Sequence, residues 1–370
     1  MITTSLSIAR TSRVPGAMRV PSCARPCARS TRSGAETPRN AGEPHRARHL
    51  RAAVPLQRHD PQRPRAGPAR VASSGSTRMT LVGVDWGSSN LRAYRFGPDG
   101  AVIDRRESPR GAARLKRDEF PQVLADTLDG WLEADTRVVL AGMVGARAGW
   151  HEAPYLPCPA DPAGLAAAAL RAEDAPAHCF IVPGLSARSA SGVANVMRGE
   201  ETQILGSGLA DGTIVLPGTH SKWARVEGGR ITGFSTIMTG EMYALLRNNS
   251  LLGQLAEGDA PDEAAFTLGA QRALDNPAGV LPLLFSARAD VLLGSLAPQA
   301  VASYLSGLLI GGEVAAMRDA AGQGVVLICN AVLAAHYRVA LALAAVTDVA
   351  VVDGADAVAR GLWRIGGLLK

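Results

Sequence analysis

The 370 residues carry 39 basic and 33 acidic side chains, a formal net charge of +6, and 47% hydrophobic residues, which is enough chain for two domains and a sizeable core. No run of about 18 or more uninterrupted apolar residues occurs, which excludes a simple transmembrane span. The five cysteines, Cys23, Cys27, Cys158, Cys179 and Cys329, are odd in number and lack CxxC spacing; this argues against a disulfide framework or a zinc site and for a reducing, cytoplasmic setting.

The charge is unevenly spread. Residues 1–78 hold 15 Arg, no Lys and three acids, a net of +12, with nine of the 23 prolines and no Phe, Trp or Tyr. The other 292 residues hold 24 basic and 30 acidic side chains, a net of −6. The first segment has too little apolar surface to offset the entropy of ordering it, so 1–78 is expected to be disordered. Its Arg and Ser content resembles a transit peptide, but the prolines interrupt any long amphipathic helix. An Arg-rich arm also suits nucleic-acid phosphates, yet no aromatic is available to stack on bases. The plainest expectation is that translation starts at Met79 and that neither nucleic acid nor membrane is a partner.

From Met79 onward strands and helices alternate. Leu81–Asp85, Leu91–Phe96 and Ala101–Glu107 read as three strands, the last two joined by the turn Gly97-Pro98-Asp99-Gly100, so the chain opens as an antiparallel meander. Phe120, Val123, Leu124, Leu128, Trp131 and Leu132 recur at helical spacing. Val138–Val144 reads as a buried strand, Leu165–Arg171 as an Ala-rich helix and Phe180–Pro183 as another strand.

The second half repeats this opening. Thr213–Leu216, Lys222–Glu227 and Ile231–Ser235 read as strands, with turns at Pro217–Ser221 and Gly228-Gly229. Setting Gly87-Ser88 over Gly218-Thr219 also sets Ala93 over Ala224. After them come the helix Ala300–Ala320, strand Val325–Ile328, helix Ala331–Ala345, strand Val349–Val352 and helix Ala355–Leu369. A duplicated strand–turn–strand–turn–strand unit predicts two similar α/β domains facing each other across a cleft.

Both first turns carry phosphate chemistry. In Asp85-Trp86-Gly87-Ser88-Ser89-Asn90 the glycine lets backbone N–H groups approach phosphate oxygens, the hydroxyls donate, and Asp85 suits Mg²⁺. Pro217-Gly218-Thr219-His220-Ser221-Lys222 is a second cradle with a cation added. Either turn alone is commonly a plain hairpin. As a related pair, one from each domain, they suit a triphosphate gripped from both sides. No Walker A sequence is present.

The chain resembles the actin/hexokinase superfamily of sugar kinases, most closely the 2-dehydro-3-deoxygalactonokinase family. The resemblance rests on segments that run in order through most of 79–370: Gly83–Ala93, Ala141–Gly145, Gly149-Trp150 with Ala153–Leu156, Asn195–Gln203, Pro217–Trp223, Met238–Glu241 and Leu305–Gly311. It implies two similar actin-like ATPase (ribonuclease H-like) domains facing a central cleft, at 79–195 and 196–370, behind the disordered tail. It also implies transfer of the ATP γ-phosphoryl to the terminal (6-) hydroxyl of 2-dehydro-3-deoxy-D-galactonate, with Mg²⁺, in galactonate catabolism.

The same resemblance assigns candidate roles. Glu200 and Glu201 lie where related sugar kinases keep a catalytic acid, with the choice between them open; Asp85 joins them as catalytic and metal-binding residue. Gly87, Ser88, Ser89, Asn90, Gly218, Thr219, His220, Ser221 and Lys222 would hold the phosphates. Gly311, Gly312 and Asn330 would line the adenosine pocket, Asn330 standing where the wider family keeps a glycine and suited to a left-handed backbone. Met143, Arg147, Trp150, Tyr155 and Arg198 fall at the sugar-binding edge, where either arginine suits a carboxylate. A kinase of another sugar acid or polyol, a non-catalytic sugar-sensing regulator and a homodimeric state are the alternatives. The regulator would want a DNA-binding helix-turn-helix before Met79, and the tail offers none.

Overall fold

A computed structural model describes residues 80–189, 191–322 and 324–370; the expectations for 1–78 and for a start at Met79 lie outside the described residues. In chain order the first half contains β1 (Leu81–Trp86), β2 (Leu91–Phe96), β3 (Val102–Ser108), α1 (Phe120–Thr127), β4 (Arg137–Gly142), β5 (Tyr155–Pro157), α2 (Pro162–Ala167), β6 (Leu170–Ala172), β7 (His178–Ile181), β8 (Gly184–Arg188), β9 (Ala194–Met197) and α3 (Glu200–Gly206). The second contains β10 (Gly212–Leu216), β11 (Ser221–Glu227), β12 (Arg230–Ile237), α4 (Thr239–Asn249), α5 (Glu263–Asp275), α6 (Ser286–Leu292), α7 (Val301–Ala316), α8 (Arg318–Ala321), β13 (Gly324–Ile328), α9 (Ala331–Leu343), β14 (Asp348–Val352) and α10 (Gly354–Gly366).

The strands build two sheets of one topology. The first runs β3-β2-β1-β4-β7-β6 and the second β12-β11-β10-β13-β14. In each, a three-strand antiparallel meander continues into parallel strands on its far side. That is the connectivity of an actin-like, ribonuclease H-like domain, present twice. The copies differ by one residue at the first turn. Trp86 pairs with Leu91 across Gly87–Asn90, whereas Leu216 pairs with Lys222 across Pro217–Ser221. A small third sheet, β5-β8-β9, has no sequence-level signal as clear, because its strands are short and mostly surface-facing.

Helices α3 and α10 are layered between the large sheets. One core cluster joins Leu81 and Val139 of the first sheet, Ile204 and Leu205 of α3, Ile214 and Leu216 of the second sheet, and Val358, Leu362 and Ile365 of α10. Side chains of this kind stabilise by about 1.5–3 kcal/mol each when fully buried. The two helices touch through glycines: a Cβ on Gly206 would lie 1.8 Å from the Ala357 carbonyl oxygen, and one on Gly361 would lie 1.9 Å from that of Thr202. Any side chain there would force the pair apart.

Several expected helices end early; the helical spacing runs through Leu132, but α1 stops at Thr127. The stretch expected as one helix over Leu165–Arg171 splits into α2 and β6. Asp161 caps α2 by accepting from the Gly164 amide, with Pro162 in the first turn, and Leu170–Ala172 is drawn off to pair with β7. The helix expected through Ala320 breaks at Met317 into α7 and the short α8.

Candidate active site

The end of β1 delivers Asp85 to the mouth of the first turn. That turn closes with the Gly87 amide donating to Asn90 O at 2.9 Å, and 111–113 brace it from outside. The amides of Gly111, Ala112 and Ala113 donate to the carbonyls of Ser89, Gly87 and Ser88. Ser88, Ser89 and Asn90 are left exposed, and among the described residues the Ser88 and Ser89 amides have no protein acceptor. Asp85 keeps a fifth of its side-chain surface open and sits 3.7 Å from Arg92 Nη1. Burial pushes its carboxyl up to about 6; Arg92 opposes the rise and the nearby Glu200 charge adds to it.

Beyond β9 the chain turns through Arg198 and Gly199 into α3. Gly199 has φ +104°, a backbone open to glycine, and its amide donates to both carboxylate oxygens of Glu201 at 2.9 and 2.7 Å. Glu201 is thereby turned inward and fully buried; desolvation, then the Glu200 charge, push it up to about 8. Glu200 points the other way. It lines the cleft, and its Oε1 lies 3.0 Å from Lys222 Nζ. Adjacent acids on a helix cannot share a face, so the structure separates two residues that the sequence leaves equivalent.

Arg198 is the other product of this segment. Its guanidinium stacks 4.4 Å from the Tyr155 ring centroid, and Nη2 donates to Ala153 O at 2.7 Å. Nε and Nη1 are buried with no protein acceptor. Unmet donors on a buried cation are costly, and a ligand carboxylate is the kind of acceptor that a guanidinium takes.

The second turn lies on the N-terminus of α4. The Glu241 amide donates to Thr219 O at 3.0 Å, and a Cβ on Gly240 would come within 2.5 Å of Gly218 O. His220 pairs with Glu241, and Lys222 Nζ also donates to His220 O at 2.8 Å. Two cavities meet at Gly218. One of roughly 510 Å³ runs past Arg92, Glu200, Thr219, His220, Asn330 and Asp353; the other, roughly 330 Å³, lies among α4, α7 and α9, with Tyr243, Ser306, Val332, His336 and Tyr337 in its wall. The first suits phosphates and the second a flat, largely apolar group.

Several expected contacts lie elsewhere. The Ser221 side chain is fully buried and bonds Tyr337 OH at 3.0 Å, because β11 alternates and Ser221 and Trp223 face inward where Lys222 faces α3. Trp150 is core, stacked on Phe120 with Nε1 donating to Asp174. Gly311 backs onto Ala270 and Gly312 onto Val280, so both serve helix packing. Asn330 does line the cleft, but its backbone is extended, not left-handed, and its side chain caps α9 by accepting from the Leu333 amide. Arg147 is exposed and its carbonyl accepts from Arg117. Met143 follows β4 in a short helical turn, 38% exposed. Asp353 and Gly354 at the cleft, and His336 and Tyr243 in the other cavity, were missed; the strand–Asp–Gly–helix step at 352–354 was the available signal for the first pair.

For Mg²⁺, the described residues offer no group of three or more His, Cys, Asp or Glu side chains. Asp85 with the Glu200 charge beside it fits an ion that keeps most of its waters and takes phosphate oxygens as further ligands. Among the described residues no helix is long and apolar enough to cross a membrane.

The geometry has known counterparts. The sequence profile of the family described as 2-keto-3-deoxy-galactonokinase matches residues 85–365. The chain is 41% identical over 288 residues to the 2-dehydro-3-deoxygalactonokinase of Escherichia coli (strain K12), covering 77% of this chain and 96% of that protein. It is similar to a crystal structure of a candidate 2-dehydro-3-deoxygalactonokinase from Sinorhizobium meliloti, with TM-score 0.72, 38% identity, and coverage of 77% of this chain and 97% of that one. The chain belongs to the 2-keto-3-deoxy-galactonokinase family.

Proposed function

We infer that this protein is a carbohydrate kinase that transfers the ATP γ-phosphoryl to the terminal (6-) hydroxyl of 2-dehydro-3-deoxy-D-galactonate. The observation that carries the reading is the meeting of the two cavities at Gly218, with Glu200 on the wall of one and a nucleoside-sized space in the other. Family membership supplies the substrate class.

The adenosine occupies the cavity among α4, α7 and α9, and the triphosphate crosses Gly218 toward the first turn. Exposed amides and hydroxyls of Ser88, Ser89 and Thr219 hold its oxygens. Mg²⁺ on Asp85 would offset β- and γ-phosphate charge. Arg198, backed by Tyr155, takes the sugar-acid carboxylate through its guanidinium, two of whose nitrogens have no protein acceptor. Glu200 accepts the proton of the attacking hydroxyl as its oxygen bonds the γ-phosphorus and the bond to the β-phosphate oxygen breaks. Glu201, inward and bonded to the Gly199 amide, holds the segment that presents Glu200 and Arg198.

A substrate panel read through coupled ADP release tests this. The full chain should consume ATP only with Mg²⁺ and a 2-keto-3-deoxy aldonate, and equal turnover of a simple hexose would overturn it. Arg198→Met should raise KM for the sugar acid about tenfold or more, with KM for ATP unchanged.

A further inference from the structure

Glu313 is the lone charged residue of α7. Around it on α7 stand Leu308, Leu309, Ile310 and Val314, all buried. Its own side chain is 3% exposed. A carboxyl in such a place costs free energy unless hydrogen-bonded, and an apolar residue of similar volume usually packs as well or better. Here neutral donors converge on it. Trp223 Nε1 donates to Oε1 at 2.7 Å, Tyr337 OH donates to Oε2 at 2.8 Å, and Thr239 Oγ1 donates to the same oxygen. Ser221 Oγ completes the ring through Tyr337 OH at 3.0 Å.

The four donors come from the elements that shape the nucleotide site. Thr239 starts α4, and its neighbour Gly240 lies against the backbone of the second turn. Thr239 and Tyr337 both line the cavity among α4, α7 and α9. Ser221 and Trp223 alternate along β11 with Lys222, so the face that bonds Glu313 fixes the face that carries the Lys222 ammonium to Glu200. No hydrogen bond of this network reaches Arg198, Tyr155 or the small third sheet.

We propose that Glu313 is a positioning residue for nucleotide binding, holding the second turn, the start of α4 and the Tyr337 wall in register through one buried carboxyl. The proposal rests on the kinase reading above and places the direct hydrogen bonds of the network on the nucleotide side of the site, with Glu200 reached only through Lys222.

Glu313→Gln keeps the volume but turns one acceptor oxygen into an amide donor facing another donor. Leaving buried donors unmet should raise KM for ATP about tenfold or more while KM for the sugar acid stays within about twofold. Tyr337→Phe and Thr239→Ala should each raise KM for ATP several-fold, and each should add little when combined with Glu313→Gln, because all three act on one network. The measurements are both KM values, kcat, and ATP binding by calorimetry on the full chain. A folded Glu313→Gln protein with both KM values unchanged, or both raised equally, overturns the proposal. If that variant does not fold, unchanged ATP binding in both Tyr337→Phe and Thr239→Ala overturns it instead. If the unaltered protein bound no ATP, the kinase reading and this assignment would fall together, whereas ATP binding by the unaltered protein with unchanged KM values in Glu313→Gln would overturn this assignment alone.

Discussion

The two first turns close the same kind of strand–turn–strand unit, yet they are held in place by different means. The first turn is short and braced by backbone: three amides from 111–113 take its carbonyls, and its side chains stand free. The second is one residue longer between closing pairs and is braced from beneath by buried side chains, with Ser221 and Trp223 tied to the network at Glu313. Backbone bracing leaves the hydroxyls of the first turn, and part of Asp85, open to solvent. Side-chain bracing lets the second carry an almost fully buried cation, Lys222, aimed at Glu200. The shared strand topology sets the position of each turn, and a few side chains divide the labour between them.

The contrast is sharpest at the acids between the turns. Glu200→Gln should cut kcat by about 10²–10⁴-fold, the usual cost of losing a positioned proton acceptor, whereas Glu201→Gln should stay within about tenfold because an amide oxygen can still accept from Gly199. Equal losses in single-turnover assays would erase the distinction between a cleft-facing and an inward-facing glutamate. Asp85→Asn should follow, with kcat down about 10²-fold or more and an unchanged circular-dichroism spectrum, since the metal-facing charge goes while the volume stays. Full rate in that variant at the Mg²⁺ concentration that just saturates the unaltered protein would break the assignment of charge chemistry to the first turn.

Smaller effects should separate the two kinds of brace. An alanine Cβ at Gly111 would lie 2.2 Å from the Ser89 carbonyl carbon, and one at Gly240 would lie 2.5 Å from Gly218 O. Each overpacks backbone against backbone, costing about 1–3 kcal/mol. Both variants should raise KM for ATP, and Gly111→Ala should also raise the Mg²⁺ concentration needed for half-maximal rate. If Gly240→Ala shifted the Mg²⁺ requirement as much, the turns would not differ as described.

Much of this was legible in the sequence where a pattern repeats. Alternation and turn chemistry place β1, β2, β10 and β11 to within a residue or two, and the alignment of Ala93 with Ala224 reflects real equivalence within the two meanders: Ala93 pairs with Val84 and Ala224 with Ile214. The one-residue offset between those pairings is the extra residue of the second turn, which alignment on glycines hides. Facing directions were not legible. Nothing in Arg198-Gly199-Glu200-Glu201 says which glutamate looks outward, since that depends on Gly199 at φ +104°. Trp150 and Ser221 were drawn toward the site by their neighbours in sequence, but strand alternation and a ring stack on Phe120 placed them in the core. Glu313 had a signal that was passed over: a lone acid within 301–316, where every other side chain is neutral, must find donors when buried.

Glu201 offers the finest test, because its role shows in stability more than in rate. Its carboxyl sits at about 8 in the fold against 4.5 in the open chain, raised first by burial. Between those values the native state keeps a proton that the unfolded state has lost, so folding takes up a proton. Stability from this group is fully present below about pH 4.5 and declines as pH rises toward about 8. Glu201→Gln has no proton to lose. Its denaturation midpoint should therefore gain on that of the unaltered protein as pH is raised from about 5 to about 8, with the Asp85 contribution common to both. A difference in midpoint that stays constant across that range would mean that Glu201 ionises as freely in the fold as outside it. The inward glutamate would then be no more shielded than its neighbour, and the separation of the pair into one cleft-facing and one buried group would fail.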